Sequence, residues 1–270
     1  MTGLVDRTAL VTGASSGIGR AIALELAARG TGVVLVARRR ERLEALADEI
    51  RSRFEVPARV EVADLSRADT PAELVQRLEA AGVEVDVLVN NAGFGLYRSH
   101  LDTPWERHRD MLQVNTVALT ELTWRLVPAM VDRGRGWVMN VASIGAWLPV
   151  PGYAVYGATK AMVRSYTEAL DAELRGTGVR AIAICPGSTL SEFLDGSDKD
   201  WSAVGTLLTM SSERCARIAV AKMLAGRRTV VTGYLNALAM WLLRFVPRRA
   251  MTWCGSVVMG LTVRPKGEVR

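Results

Sequence analysis

Thr8-Ala9-Leu10-Val11 runs without a break into Thr12-Gly13-Ala14-Ser15-Ser16-Gly17-Ile18-Gly19, and that junction decides the fold. Four apolar-run residues read as a buried strand. The glycines that follow allow positive φ and close approach of backbone to a ligand. The amphipathic stretch Ile18–Arg29 then begins a helix, whose first turn offers free N–H groups and the positive end of a dipole. A strand, a glycine turn and a helix N-terminus in that order suit a pyrophosphate. A bare tight turn would also contain such glycines, and GxxxGxG differs from the GxGxxG dinucleotide fingerprint.

The pattern continues outward from this junction. Val33–Val36, Ala58–Val62, Val85–Val89, Trp137–Val141 and Val179–Ile184 read as buried strands. Arg40–Phe54, Pro71–Ala81, Pro104–Asp132 and Val155–Arg175 read as amphipathic helices. Strands alternating with helices predict an α/β class: a doubly wound parallel sheet, the Rossmann fold, with helices on both faces. In such a sheet ligands sit beyond the carboxyl ends of the strands, so function is expected in the turns after them. One domain over residues 1–270 is expected, with an apolar C-terminal extension at about 235–270.

The chain has 270 residues, 49% hydrophobic and 23% charged, which fits a packed core. No signal peptide is read at its start. Cys185, Cys215 and Cys254 form no CxxC pair, so no disulfide framework or zinc site is expected, and a cytoplasmic location is the simplest compartment. The net charge is +6 and only four residues are lysines: Lys160, Lys199, Lys222 and Lys266. The arginines are dispersed, without the basic stripe and aromatic platforms of a nucleic-acid binder.

Tyr156-Gly157-Ala158-Thr159-Lys160 places a phenol and an ammonium at i and i+4 on one helix face. A carbonyl reduction needs a general acid beside the oxygen, and a nearby cation is expected to lower tyrosine's pKa. An exposed helix pair is the bland alternative. Ser143, thirteen residues earlier and just after a strand, can bind a substrate oxygen, or simply cap a turn. Val36-Ala37-Arg38-Arg39 lacks the acid an NAD ribose would need and supplies guanidinium forks. That favours NADP(H) through Arg38, with Arg39 beside it; NAD(H) is the second choice, and a solvated helix start the bland one.

Together these segments resemble the short-chain dehydrogenase/reductase family over about residues 5–234. The resemblance implies cofactor contacts from Gly13, Ser15, Ser16, Gly17, Ile18 and Gly19. It implies an adenine contact at Asp64-Leu65, where a helix cap is an equal alternative. Asn91-Ala92-Gly93 is similar to the family's segment against the cofactor ribose, and Pro186-Gly187 with Thr189 and Ser191 to the one beside the nicotinamide. Ser191 stands where the family usually has Thr. Asn115 is implied to hold a water in a proton relay from Lys160; a buried Asn satisfied by backbone is its alternative. Asn115, Ser143, Tyr156 and Lys160 thus form the expected catalytic set, with Ser143 and Tyr156 on the substrate and Tyr156 and Lys160 also against the cofactor.

Phe94, Leu96, Trp147 and Leu148 are expected to border the pocket. Ser188 to Gly205 is expected to be a loop that can close over substrate. Tyr153 reads as a wall or packing residue, and His100 and His108 as surface residues. Ala37–Leu46 and the apolar tail look closest to the keto-acyl and steroid carbonyl reductase branch, on a ketone or aldehyde substrate. A non-catalytic NADP(H)-binding sensor on the same fold is the alternative. A homodimer or homotetramer is expected. Asn236–Val246 and Trp253–Val263 are too short to span a bilayer. Burial against a second subunit or over the pocket is preferred for them, with peripheral membrane contact as the alternative.

Overall fold

A computed structural model describes residues 4–187, 189–190, 209–247 and 250–253. β1 (Thr8–Thr12), β2 (Gly32–Ala37), β3 (Ala58–Val62), β4 (Val87–Asn90), β5 (Gly136–Val141) and β6 (Val179–Cys185) alternate with helices. These are α1 (Gly17–Ala27), α2 (Arg40–Phe54), α3 (Thr70–Ala80), α4 (Trp105–Leu112), α5 (Ala118–Asp132) and α6 (Ala154–Glu173). The short strands β7 (Thr189–Leu190) and β8 (Met210–Ser211) pair with each other. Then come α7 (Ser212–Leu224), β9 (Thr229–Val231) and α8 (Tyr234–Leu242).

Seven parallel strands lie in the order β3-β2-β1-β4-β5-β6-β9. The chain winds outward from β1 in one direction and then, from β4, in the other. The reversal between β1 and β4 is the crevice where such sheets bind ligands. Register brings the functional turns to one edge. Thr12 pairs with Val36, Val11 with Val89, Asn90 with Asn140, and Val141 with Ile184.

Alternate strand residues point to opposite faces. Ala9, Val11, Val33 and Leu35 pack with Ile22, Leu26, Leu43, Ile50, Val220 and Met223 of α1, α2 and α7. Leu10, Val34, Val36 and Leu88 pack with Leu74, Leu78, Leu122 and Met130 of α3 and α5. Both faces being covered explains why these strands read as unbroken apolar runs.

The expected helix over 104–132 differs inside. A five-residue π turn, Gln113–Val117, joins α4 to α5. Such wide turns displace one residue from the regular ladder and often re-aim a side chain; here Asn115 lies at the centre of the turn.

Candidate active site

The glycine turn is held by its neighbours. Thr12 Oγ1 accepts from the backbone N–H groups of Asn91 and Ala92, both at 3.0 Å, and donates to Val89 O. The Asn91 amide donates to Thr12 O at 3.0 Å and Gly13 O at 3.3 Å. A Cβ at Gly19 would lie 2.3 Å from both the Asn91 amide nitrogen and Gly13 O, so the helix can approach this closely only with glycine there. Gly13 and Gly17 have φ of +67° and +55°, the left-handed region that favours glycine. At its N-terminus α1 has no side-chain cap and no acid in its first turn. Its amide donors and dipole therefore fit a pyrophosphate. Arg39 reaches over this turn, donating to Ser15 Oγ at 3.0 Å and Ser16 Oγ at 2.9 Å, while Arg38 is exposed. An open cleft of about 470 Å³ lies alongside, between α1, α2 and the start of α7, lined by Arg20, Arg42, Glu49 and Glu213. It shares no lining residue with the Tyr156 group.

Asp64 does not cap α3, whose N-cap is Asp69; its Oδ1 accepts from Ser66 N at 3.1 Å and Ser66 Oγ at 2.8 Å in a local turn. The Leu65 side chain is buried in the core against α3, leaving only its backbone for a ligand.

Tyr156 and Lys160 lie one turn apart near the start of α6. Lys160 is buried, with its Nζ donating to Val141 O at 2.8 Å. Ser143 follows β5, accepts from Gly145 N at 3.1 Å, and hydrogen-bonds the Tyr156 hydroxyl. The expected lowering of the tyrosine pKa by the cation does not occur in this site. Burial pushes the Tyr156 hydroxyl well above the usual tyrosine range; Ser143's hydrogen bond opposes this, and Tyr153 and Cys185 add to the rise. Burial also lowers Lys160 to about 8, with Cys185 partly opposing. Burial is the leading cause for both groups; Nζ donates to a backbone carbonyl and stands 5.9 Å from the Tyr156 ring centre. In a dry site both neutral forms are favoured.

Asn115 links the segment after β4 to α6. Its amide donates to Phe94 O at 2.9 Å and Thr159 Oγ1 at 3.1 Å, and its Oδ1 accepts from Phe94 N at 3.0 Å. Both amide hydrogens are thus spent on protein, and only one Oδ1 lone pair is left for a water. A Cβ at Gly93 would meet Asn115 Oδ1 at 2.9 Å and Lys160 Nζ at 3.3 Å. The expected ribose segment, the π turn and α6 therefore converge on one point.

Pro186 follows β6, and its carbonyl accepts from Ile144 N at 2.9 Å, bringing its segment beside Ser143. At Gly187 an added Cβ would lie 2.2 Å from the Asn236 amide nitrogen, which is itself bonded to Thr232 O. Thr189 lies in β7; Ser191 and most of the expected 188–205 loop lie outside the described residues.

A profile of the short chain dehydrogenase family matches residues 7–202. The chain belongs to this family. It is 40% identical over 185 residues to a sulfoacetaldehyde reductase of Chromohalobacter salexigens, covering 68% of this chain and 72% of that one. Among solved structures it resembles a 7beta-hydroxysteroid dehydrogenase with a TM-score of 0.85 and 28% identity, covering 94% of this chain and 98% of the other. It also resembles a short-chain dehydrogenase from Sphingobium yanoikuyae in complex with NADPH, with a TM-score of 0.78, 30% identity and coverages of 90% and 97%. The protein is accordingly an oxidoreductase of the short-chain dehydrogenase family.

Within this short-chain dehydrogenase, Tyr153 packs between Tyr97 and Tyr156, with ring centres 5.0 and 5.4 Å away. Burial, and then Tyr97, raises its pKa to about 12. Phe94, Leu96, Trp147 and Leu148 are half-buried. His100 is exposed, but His108 is not the surface residue expected. It shares the inward face of α4 with Met111 and stacks on His100 at 4.8 Å. Sequence reasoning also missed Thr12, Thr159 and Asn236 as site supports. Thr12 stood inside the quoted motif, and Thr159 between Tyr156 and Lys160, where hydroxyls could have been read as structural bonds.

Proposed function

We propose that the protein is an NADP(H)-dependent carbonyl reductase and alcohol dehydrogenase, acting on a ketone or aldehyde with an apolar keto-acyl or steroid-like body. The observation that carries this reading is the Ser143–Tyr156 hydrogen bond one helical turn from buried Lys160. The bound nicotinamide would supply or accept the hydride. Burial keeps Tyr156 protonated near neutrality, so it is ready to donate to the carbonyl oxygen during reduction. Ser143 is bonded to the same hydroxyl and holds that oxygen in place. Lys160 has three donors and spends one on Val141 O, leaving two for ribose hydroxyls. Asn115 fixes the Phe94 backbone and so the adjacent Asn91-Ala92-Gly93 wall. Pro186, Gly187 and the following strand would border the nicotinamide.

Arg39 at the glycine turn, beside exposed Arg38 and with no acid at the end of β2, supports NADP(H) over NAD(H). The 7beta-hydroxysteroid dehydrogenase likeness supports a bulky apolar substrate, and the NADPH complex of the second neighbour supports the phosphate. The test is Tyr156→Phe assayed by nicotinamide absorbance across ketones and alcohols. Turnover is expected to fall by about 10²–10⁴, the usual worth of a general acid, with NADPH affinity retained. Full turnover by that variant would sink the mechanism.

A further inference from the structure

Helix α8 turns most of its large apolar residues away from the core. Its buried residues are Asn236 and Met240, one turn apart. Outward lie Tyr234 at 83% exposure, Leu235, Leu238, Trp241 at 51% and Leu242, continuing to Phe245 at 72% in the following turn. These positions share a stripe at helical spacing. Trp253 is exposed as well, at 68%. No acid lowers the charge of this region. From Arg214 to Gly267 the sequence has no Asp or Glu but ten Lys and Arg, of which Arg244 lies in the turn that carries Phe245, and Arg248 and Arg249 follow it in sequence.

We infer that α8 and the turn after it form an interfacial helix that seats the enzyme on an anionic lipid bilayer. An apolar stripe with tryptophan, tyrosine and phenylalanine, flanked by arginines without acids, is the chemistry that enters a headgroup layer. Nine residues of α8 rise only about 14 Å, so the helix lies on the surface. No described helix is long and apolar enough to cross a membrane. A second copy fits this face less well. A twofold contact would bury Arg244 against a second copy of a segment that itself contains no acid to pair it. An anionic headgroup layer neutralises them instead. The Asn236 amide on Gly187 joins this helix to the segment after β6, so the seated helix borders the candidate site.

The test is co-sedimentation of the full chain with vesicles of phosphatidylcholine alone and of phosphatidylcholine mixed with phosphatidylglycerol, at low and high salt. Binding is expected with the mixed vesicles and should weaken with salt. Arg244→Gln should weaken it about fivefold, since each arginine near an anionic surface contributes a modest electrostatic gain. Trp241→Ser with Phe245→Ser should weaken it about a hundredfold through lost apolar burial. NADPH affinity, retained in both variants, shows that each still folds. Three outcomes overturn the proposal: no binding to mixed vesicles, equal binding to both lipids with no salt dependence, or a dimer in light scattering that the Trp241/Phe245 variant abolishes while vesicle binding stays unchanged.

Discussion

Replacing Lys160 by Met should remove activity and yet stabilise the cofactor-free protein near neutral pH. The ammonium is buried, 4% exposed, and its pKa falls from 10.5 to about 8 because charge is costly there. That difference corresponds to about 3 kcal/mol of destabilisation while the lysine is charged. The folded pKa lies below the unfolded one, so between about 8 and 10.5 the unfolded chain holds more protons. Stability must therefore rise with pH across that window as the penalty is relieved. Methionine has a similar length and no charge, but it leaves Val141 O without its 2.8 Å donor. An unmade buried hydrogen bond costs about 1–2 kcal/mol, leaving a net gain of about 1–2 kcal/mol near neutrality. For a chain of this size that is an increase of about 2–6 °C in Tm. Thermal unfolding without cofactor, followed by circular dichroism from neutral pH to about pH 10, tests this linkage. The variant's advantage should shrink and then reverse toward the alkaline end, where the remaining charge penalty falls below the cost of the lost hydrogen bond. A Lys160→Met protein less stable than the parent near neutrality, or a stability difference that does not change with pH, would refute the reasoning.

Other outcomes follow from particular contacts. Arg39→Ala should reduce the preference for NADPH over NADH by about tenfold or more, as expected from losing a phosphate fork, measured by fluorescence titration of both cofactors; a clear NADH preference in the parent protein would remove the basis for that reading. Gly93→Ala puts a methyl 2.9 Å from Asn115 Oδ1 and should cost about 1–3 kcal/mol in denaturant unfolding, with loss of turnover. Gly187→Ala should be similarly damaging because of the Asn236 amide 2.2 Å away, and Asn236→Ala in the same chain should restore part of the loss. If the double variant is no better than Gly187→Ala alone, the contact is not what constrains Gly187.

The parallel sheet was legible because strands covered on both faces must be apolar throughout. Val33–Val36 and Val179–Ile184 have no polar face to confuse with a loop. The helices between them carry a 3.6-residue period. The glycine turn was legible for a different reason: Gly13 and Gly19 meet backbone and the Asn91 amide too closely for a side chain, and Gly17 has a positive φ. What escaped is what depends on contacts far apart in sequence. The π turn at Gln113–Val117 inserts into an apolar period that reads as one continuous helix. His108 looked exposed because its burial depends on where α4 sits. Asn140 links Asn90 of β4 to Thr167 of α6 by side-chain hydrogen bonds, a connection no local pattern reveals.

The pKa values were the least legible part of the site, and they change how its residues are understood. Spacing alone makes Tyr156 and Lys160 look like a cation lowering the pKa of a phenol. Burial acts on both groups in opposite senses: it raises the phenol and lowers the ammonium, so each is pushed toward its neutral form. The ammonium has one protein acceptor, whereas the Asn115 amide has used both of its hydrogens. Saturated groups can only hold a geometry; an unsaturated buried donor gains from any acceptor brought to it. Asn115 and Thr12 therefore belong to the rigid frame of the site. Lys160 is the group whose charge should respond to what binds there: added acceptors and negative charge would raise its pKa back toward that of a free lysine, and the recovered cation would then act on Tyr156.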